Sequence, residues 1–206
     1  MTTTAKQQVV NAAMAHLGEP GFSDITQDPP SAALAKVLGQ LDGKAGAEFY
    51  ALSRHPWLCA MSYATLPPTN DVPANWKWSR HFLLPDTAVK LWAIDGLAQD
   101  TPYELGTASV GGQERQVIRC NLDALNVAYI ERKPFEAYSA DLCNYIAYLL
   151  ASRTAGPLKS DQEGAVRLKR EAEAALAEAK TGEAGQHHDA EALFGGGLAD
   201  LRRLAG

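Results

Sequence analysis

The stretch Arg54-His55-Pro56-Trp57-Leu58-Cys59-Ala60 decides how the chain is read, because a glycine-spotted helical pattern ends there and a proline-broken, strand-like one begins. Upstream, Leu34, Val37, Leu38, Leu41, Ala45, Phe49 and Leu52 recur at steps of three and four, the spacing of one helix face. Pro56 lacks an amide proton and restricts the residue before it, so this helix should stop near it. Trp57 is expected to anchor the core. His55, beside a proline at a helix end, is expected to cap or pack rather than react.

Further back, Thr4 and Gln7 form a capping-box pattern ahead of Val9, Val10, Ala13, Met14 and Leu17, an apolar stripe that Gly18 can end. The second helix pattern contains Gly39, Gly43 and Gly46, each costing on the order of 1 kcal/mol relative to Ala inside a helix. Their spacing puts them on one stripe, where they suit intersubunit packing by admitting another helix closely. A broken helix is the competing reading.

Forward of Pro56, residues 66–73 carry three prolines and form an arm or ordered loop. Trp76 and Trp78 follow it and are assigned to intersubunit packing, although with Trp92 they could also stack a sugar or base. Residues 89–94, 115–120 and 125–130 read as strands. Gly111-Gly112 suits a hairpin turn, which implies a fourth strand before it. Helical spacing returns after Pro134 with Phe135, Tyr138, Leu142, Tyr145, Ile146, Leu149 and Leu150, and Gly156-Pro157 should break it. Ser160 with Glu163 looks like a second capping box, opening a helix to about Lys180 with Glu163/Arg167, Arg167/Glu171 and Lys169/Glu173 at four-residue spacing.

These patterns predict a mainly α chain with a β-rich insertion (α+β), a helical-bundle protomer of a ring assembly. Its parts are N-terminal helices at 1–60, a β-rich insertion with the proline arm at 61–133, helices completing the bundle at 134–180, and a flexible tail at 181–206. The tail combines Gly182, Gly185 and Gly195-Gly196-Gly197 with Leu193, Phe194, Leu198, Leu201 and Leu204, apolar residues without a core of their own. Such a segment should order on a partner.

With 206 residues and 46% hydrophobic content the chain can bury a sizeable core, and a net charge of -5 argues against a surface built to clamp phosphates. Three scattered cysteines, Cys59, Cys120 and Cys143, describe no disulfide framework. The N-terminal run lacks the pattern of a secretory signal and no run approaches about 18 apolar residues, so a soluble chain made in the cytoplasm, with no membrane segment, is expected.

No nucleophile, base and orienting group stand in a recognisable local motif, so no enzyme is expected. No cofactor or metal is expected either, His187-His188-Asp189 being a weak ligand set. Glu131 and Glu136 could support glycoside hydrolysis only if the fold spaced them correctly. Lys77, Arg80 and His81 read as a solvated edge rather than a phosphate site.

Residues 10–19, Val10-Asn11-Ala12-Ala13-Met14-Ala15-His16-Leu17-Gly18-Glu19, followed by Arg54-His55-Pro56-Trp57, resemble the opening of podovirus head-to-tail adaptor proteins, the tail tubular protein A group. Leu84-Pro85-Asp86, a strand ending Asp95-Gly96, Val127-Ala128-Tyr129-Ile130-Glu131-Arg132 and residues 142–151 resemble later segments of that family, over about residues 5–180 in all. The resemblance implies a virion component at the portal vertex, a homo-oligomeric ring, commonly twelve-fold. That ring would bind the portal protein and a downstream tail or nozzle protein, and DNA would pass through its channel without specific binding. It also implies that the C-terminal segment reaches the portal, through Leu193, Phe194, Leu198, Leu201 and Leu204. The Gly195-Gly196-Gly197 run and the proline arm have no counterpart in the family pattern. The competing readings are a tail-associated peptidoglycan hydrolase and a non-viral helical interaction module.

Overall fold

The computed structural model describes residues 4–28, 30–70, 77–95 and 102–203, without the side chains of 95 and 184–203. The chain divides into two compact units, one formed by Met1–Ala51 with Pro134–Gly206 and the other by Leu52–Lys133.

In the first unit, helix α1 (Ala5–His16) starts where Thr4 accepts a hydrogen bond from the Gln7 amide. The Gln7 side chain does not reach back to close a capping box. It donates instead to the carbonyls of Phe22 and Ser23, tying down the following loop. Gly18, at φ +67°, ends the helix, and Lys159 donates to the Leu17 carbonyl at 2.9 Å.

Helix α2 (Ala32–Leu41) is capped by Ser31 and ends at Asp42, whose carboxylate binds Lys6 at 3.0 Å. Helix α3 (Ala47–Arg54) is separate. The single long helix expected across this region is therefore two, and Gly39, Gly43 and Gly46 share no helical stripe. Gly39 lies in α2 with open space where a Cβ would go, and Gly43 adopts φ +83° in the turn. Gly46 packs so tightly that a Cβ would lie 2.2 Å from the Leu41 carbonyl oxygen. The turn needs the last two because one requires a left-handed backbone and the other admits no side chain.

Helix α4 (Ala140–Lys159) is the central helix, packing against α1 and α2 and against helix α5 (Gln162–Arg203). It runs through Gly156-Pro157 rather than breaking there. Proline forfeits one hydrogen bond in the last turns, a loss offset by the burial of Leu142, Tyr145, Ile146, Leu149 and Leu150. The break comes at Ser160, left-handed at φ 57°. Asp161, not Ser160, opens α5, accepting from the Gly164 amide at 2.8 Å. On α5 the buried residues are Gly164, Leu168, Ala172, Leu176, Ala179 and Glu183, one stripe at steps of three and four.

Among its described residues the second unit holds six strands: β1 (Met61–Leu66), β2 (Arg80–Leu83), β3 (Ala88–Asp95), β4 (Glu104–Val110), β5 (Gln113–Cys120) and β6 (Leu125–Glu131). They form two antiparallel three-stranded sheets, β1-β6-β3 and β2-β5-β4. Alternation turns Leu66, Leu125, Val127 and Tyr129 from one sheet, and Phe82, Ile118 and Cys120 from the other, into a shared core. The Gly111-Gly112 turn has both residues at positive φ, the backbone of a type I′ two-residue hairpin. Past β1, the Thr69 amide donates to the His81 carbonyl at 2.7 Å, which links the first sheet to β2.

A mainly helical bundle with a β-rich insertion is thus the wrong description. Among the described residues, five α-helices and two three-stranded antiparallel sheets make a mixed α/β chain. The reason is physical: six paired strands bury a core of their own, so the sheets form a unit of comparable standing to the helices.

Candidate interaction surfaces

The face of the second sheet turned away from its core carries a polar cluster. Residues 81, 119 and 104 stand side by side across β2, β5 and β4. The Arg119 guanidinium donates to Glu104 at 2.6 Å and to the Thr107 carbonyl at 3.1 Å. To reach it, Arg119 lies flat across Gly106, where a Cβ would meet its Nη1 at 2.6 Å. The Trp78 indole donates to the other Glu104 oxygen at 3.1 Å, and Lys77 stands 3.7 Å from the same carboxylate. The hydrogen bond from Trp78, then that from Arg119, holds the Glu104 carboxyl below its ordinary range. His81, 1% exposed, is held below the usual imidazole range first by burial and then by the Arg119 charge.

This placement redefines several residues singled out from sequence. Trp78 is 3% exposed, covered within its own chain rather than displayed for a neighbour. Lys77 and Arg80 are paired, the latter with Asp123 at 3.3 Å, and His81 is buried, so the three form no open phosphate site. Trp57 is fully buried, with its ring edge-on to His55 at 5.0 Å. Trp92 is 46% exposed, with Lys90 over its ring.

Glu131 accepts hydrogen bonds from Ser62 at 2.6 Å and Thr87 at 2.7 Å, which lower its pKa. A glycosidase general acid needs the opposite shift. Glu136 accepts from the Ala5 amide at 3.3 Å, at the start of α1.

Two parts of the chain extend beyond what the described elements beside them cover. The first is the side of the sandwich between β3 and β4, where a groove of about 400 Å³ is lined by Leu84, Val89, Leu91, Leu105, Thr107 and Val117. The second is the C-terminal half of α5. At 1.5 Å per residue its 42 residues span about 63 Å, against about 30 Å for the 20 residues of α4. Residues 184–203, expected as a flexible tail, are helical. The side chains of Leu193, Phe194, Leu198 and Leu201 lie outside the described residues, as do Trp76 and Leu204 entirely.

Among the described residues no three metal-ligating side chains cluster, and no helix is long and apolar enough to cross a membrane. Comparison with protein-family models and with curated proteins finds no match. The fold and its surfaces define the class alone: a two-unit α/β chain with a long C-terminal helix and an open-sided β-sandwich.

Proposed function

We propose that this chain is a structural head-to-tail adaptor of a tailed bacteriophage, forming a ring that joins the portal to the tail around the DNA channel. The observation that carries this reading is the length of α5 beyond its partner helix. Among the α5 residues whose side chains are described, which end at 183, the buried stripe runs from Gly164 to Glu183, and the 20 residues of α4 can face about that many residues of α5. In the sequence its rhythm continues at Ala190, Phe194, Gly197, Leu201 and Leu204, with Leu193 and Leu198 alongside. An amphipathic helix projecting by some 30 Å is suited to a groove on another component, docking by apolar anchors at steps of three and four. The order of motifs along the chain, which resembles that of podovirus adaptors, supports taking that component to be the portal.

In this reading the ring closes through head-to-tail contacts, each protomer offering two unlike faces. The net charge of -5 favours a channel wall that does not hold passing DNA. The test is co-purification of the full chain with the portal protein of the same particle, followed by negative-stain electron microscopy. A ring capping the portal is expected, and removal of residues 184–206 should abolish it. Binding that survives this truncation would remove the basis for the assignment.

A further inference from the structure

We infer that the free edge of β4 is a self-association surface, at which β4 of a second copy of this chain pairs antiparallel about Thr107. The two-residue turn makes Val110 and Gln113 the closing hydrogen-bonded pair of the β4–β5 hairpin. Alternation down the ladder then gives hydrogen-bonded pairs at Ala108/Arg115, Gly106/Val117 and Glu104/Arg119. The N–H and C=O groups of Leu105, Thr107 and Ser109 therefore point away from β5. Among the described residues no backbone group pairs with them. Arg119 donates to the Thr107 carbonyl, which retains a second lone pair.

Edges of this kind are normally blunted by bulges, lysines or prolines. The other free edge next to the groove, β3, has such protection: two register shifts and Lys90. β4 has none. Its register is unbroken and it contains no Lys, Arg or Pro. Its one charged residue, Glu104, is already neutralised by Arg119 and Lys77, so two copies can meet without repulsion.

Burial along β4 is also reversed. Leu105 stands opposite Ile118, which is fully buried in the core, so its side chain faces inward, yet it is 54% exposed. Thr107 and Ser109, on the same face, are exposed too, while Gly106 and Ala108 on the other face are half-buried. Among the described residues no strand lies beside β4 over the groove. An unblunted edge is a template for its own copy, and its only charge is already paired, so a second β4 is the inferred occupant. Antiparallel pairing of Thr107 with its counterpart sets Leu105 of each copy against Ser109 of the other, and each facing pair exchanges two backbone bonds. The contact is two-fold and independent of the head-to-tail contacts of the ring.

Sedimentation velocity of the full chain from micromolar to millimolar concentration should show a concentration-dependent two-fold species. Thr107→Pro deletes an edge donor but no β4–β5 bond, so it should weaken the association about tenfold or more with the far-ultraviolet circular dichroism unchanged. Thr107→Cys reads the register directly. Cα atoms in such a pair lie about 5.5 Å apart, within disulfide reach, so mild oxidation should give a covalent dimer. Asp123→Cys, at a side chain 96% exposed and away from the edge, should not. The wild-type cysteines are common to both variants and cancel. If Thr107→Pro fails to fold, the cysteine pair still decides. A chain that stays monomeric throughout, leaving the edge to a different protein's strand, overturns the inference. So does a ring that forms with Thr107→Pro unaffected and Thr107→Cys uncrosslinked, an outcome that leaves the adaptor reading standing.

Discussion

Gly39 in α2 and Gly43 and Gly46 in the turn after it should respond to alanine in three different ways. Gly39 lies within α2, exposed, with nothing within 4 Å of an added Cβ, so Gly39→Ala removes only the entropic handicap of glycine and should stabilise by about 1 kcal/mol. Gly43 sits at φ +83°, where an L side chain is strained, and alanine there should cost about 1–2 kcal/mol. Gly46 is the most demanding. Its added Cβ would meet the backbone oxygens of Leu41 and Asp42 at 2.2 and 2.5 Å, atoms that cannot move without opening the turn. A loss of about 2–3 kcal/mol follows. For a chain of this length a change of 1 kcal/mol moves the thermal midpoint by about 2–4 °C, so calorimetry separates the three variants. A glycine stripe built for a neighbouring helix demands another pattern, in which Gly39→Ala leaves folding intact and abolishes self-association. That outcome, or a neutral Gly46→Ala, would refute the reasoning.

Acidification should weaken the fold in two stages. His81 and His16 have folded-state pKa values below the ordinary 6.5, each chiefly through burial, so the unfolded chain takes up protons first and stability falls as pH drops below 6.5 toward those lowered values. Glu104 and Glu131 are lowered from 4.5 by hydrogen bonds, so their contribution is complete above 4.5 and is lost only below it. Urea midpoints measured across pH 2.5 to 8 check both stages, and a flat profile between 7.5 and 5 contradicts the histidine part. At the α4–α5 junction, Asp161→Ala should cost about 1 kcal/mol, because it deletes the cap on Gly164. Ser160→Gly should be neutral or stabilising, since Ser160 is left-handed at φ 57°. A capping box at Ser160 demands the reverse, and chemical denaturation of the two variants distinguishes them.

Much of the second unit was legible because its strands carry local signals. β3 is rich in β-formers through Val89, Trp92 and Ile94, β6 sets Leu125, Val127 and Tyr129 at alternate positions, β5 alternates toward Ile118 and Cys120, and Gly111-Gly112 marks its own turn. β1 and β2 were not. Met61–Leu66 mixes Ser, Ala and Thr with its apolar residues, and Arg80–Leu83 is four residues long, so each becomes a strand only through its partner, β6 or β5. The glycine turn after Leu41 was hidden for a related reason. The apolar rhythm runs on through Ala45, Phe49 and Leu52, and only the backbone reveals that two helices share it. The polar cluster joins Trp78, Glu104 and Arg119 across gaps of 26 and 15 residues, and no spacing rule connects them until strand register is known. Trp78 accordingly read as a surface residue when Glu104 holds it inside.

The same criterion singles out both surfaces on which the proposals rest: a pattern that outlasts the structure available to satisfy it. On β4 it is the core-facing register, which continues through Leu105, Thr107 and Ser109 after the opposing sheet has ended at β3. On α5 it is the helical backbone and its sequence rhythm, which continue for some 20 residues after α4 has ended. On the two proposals, these places serve two separate contacts, because exposed edge groups and apolar rows are costly unless something covers them. The chemistry differs between them. An edge strand asks for another strand and fixes its register through backbone bonds, whereas a helix face asks for a groove and reads side chains. Loss of one contact should therefore leave the other intact: truncation at residue 184 should spare the β4 association, and Thr107→Pro should spare portal binding. Measuring both assemblies on both variants tests this independence, and a single lesion that abolishes both contacts without unfolding the chain refutes it.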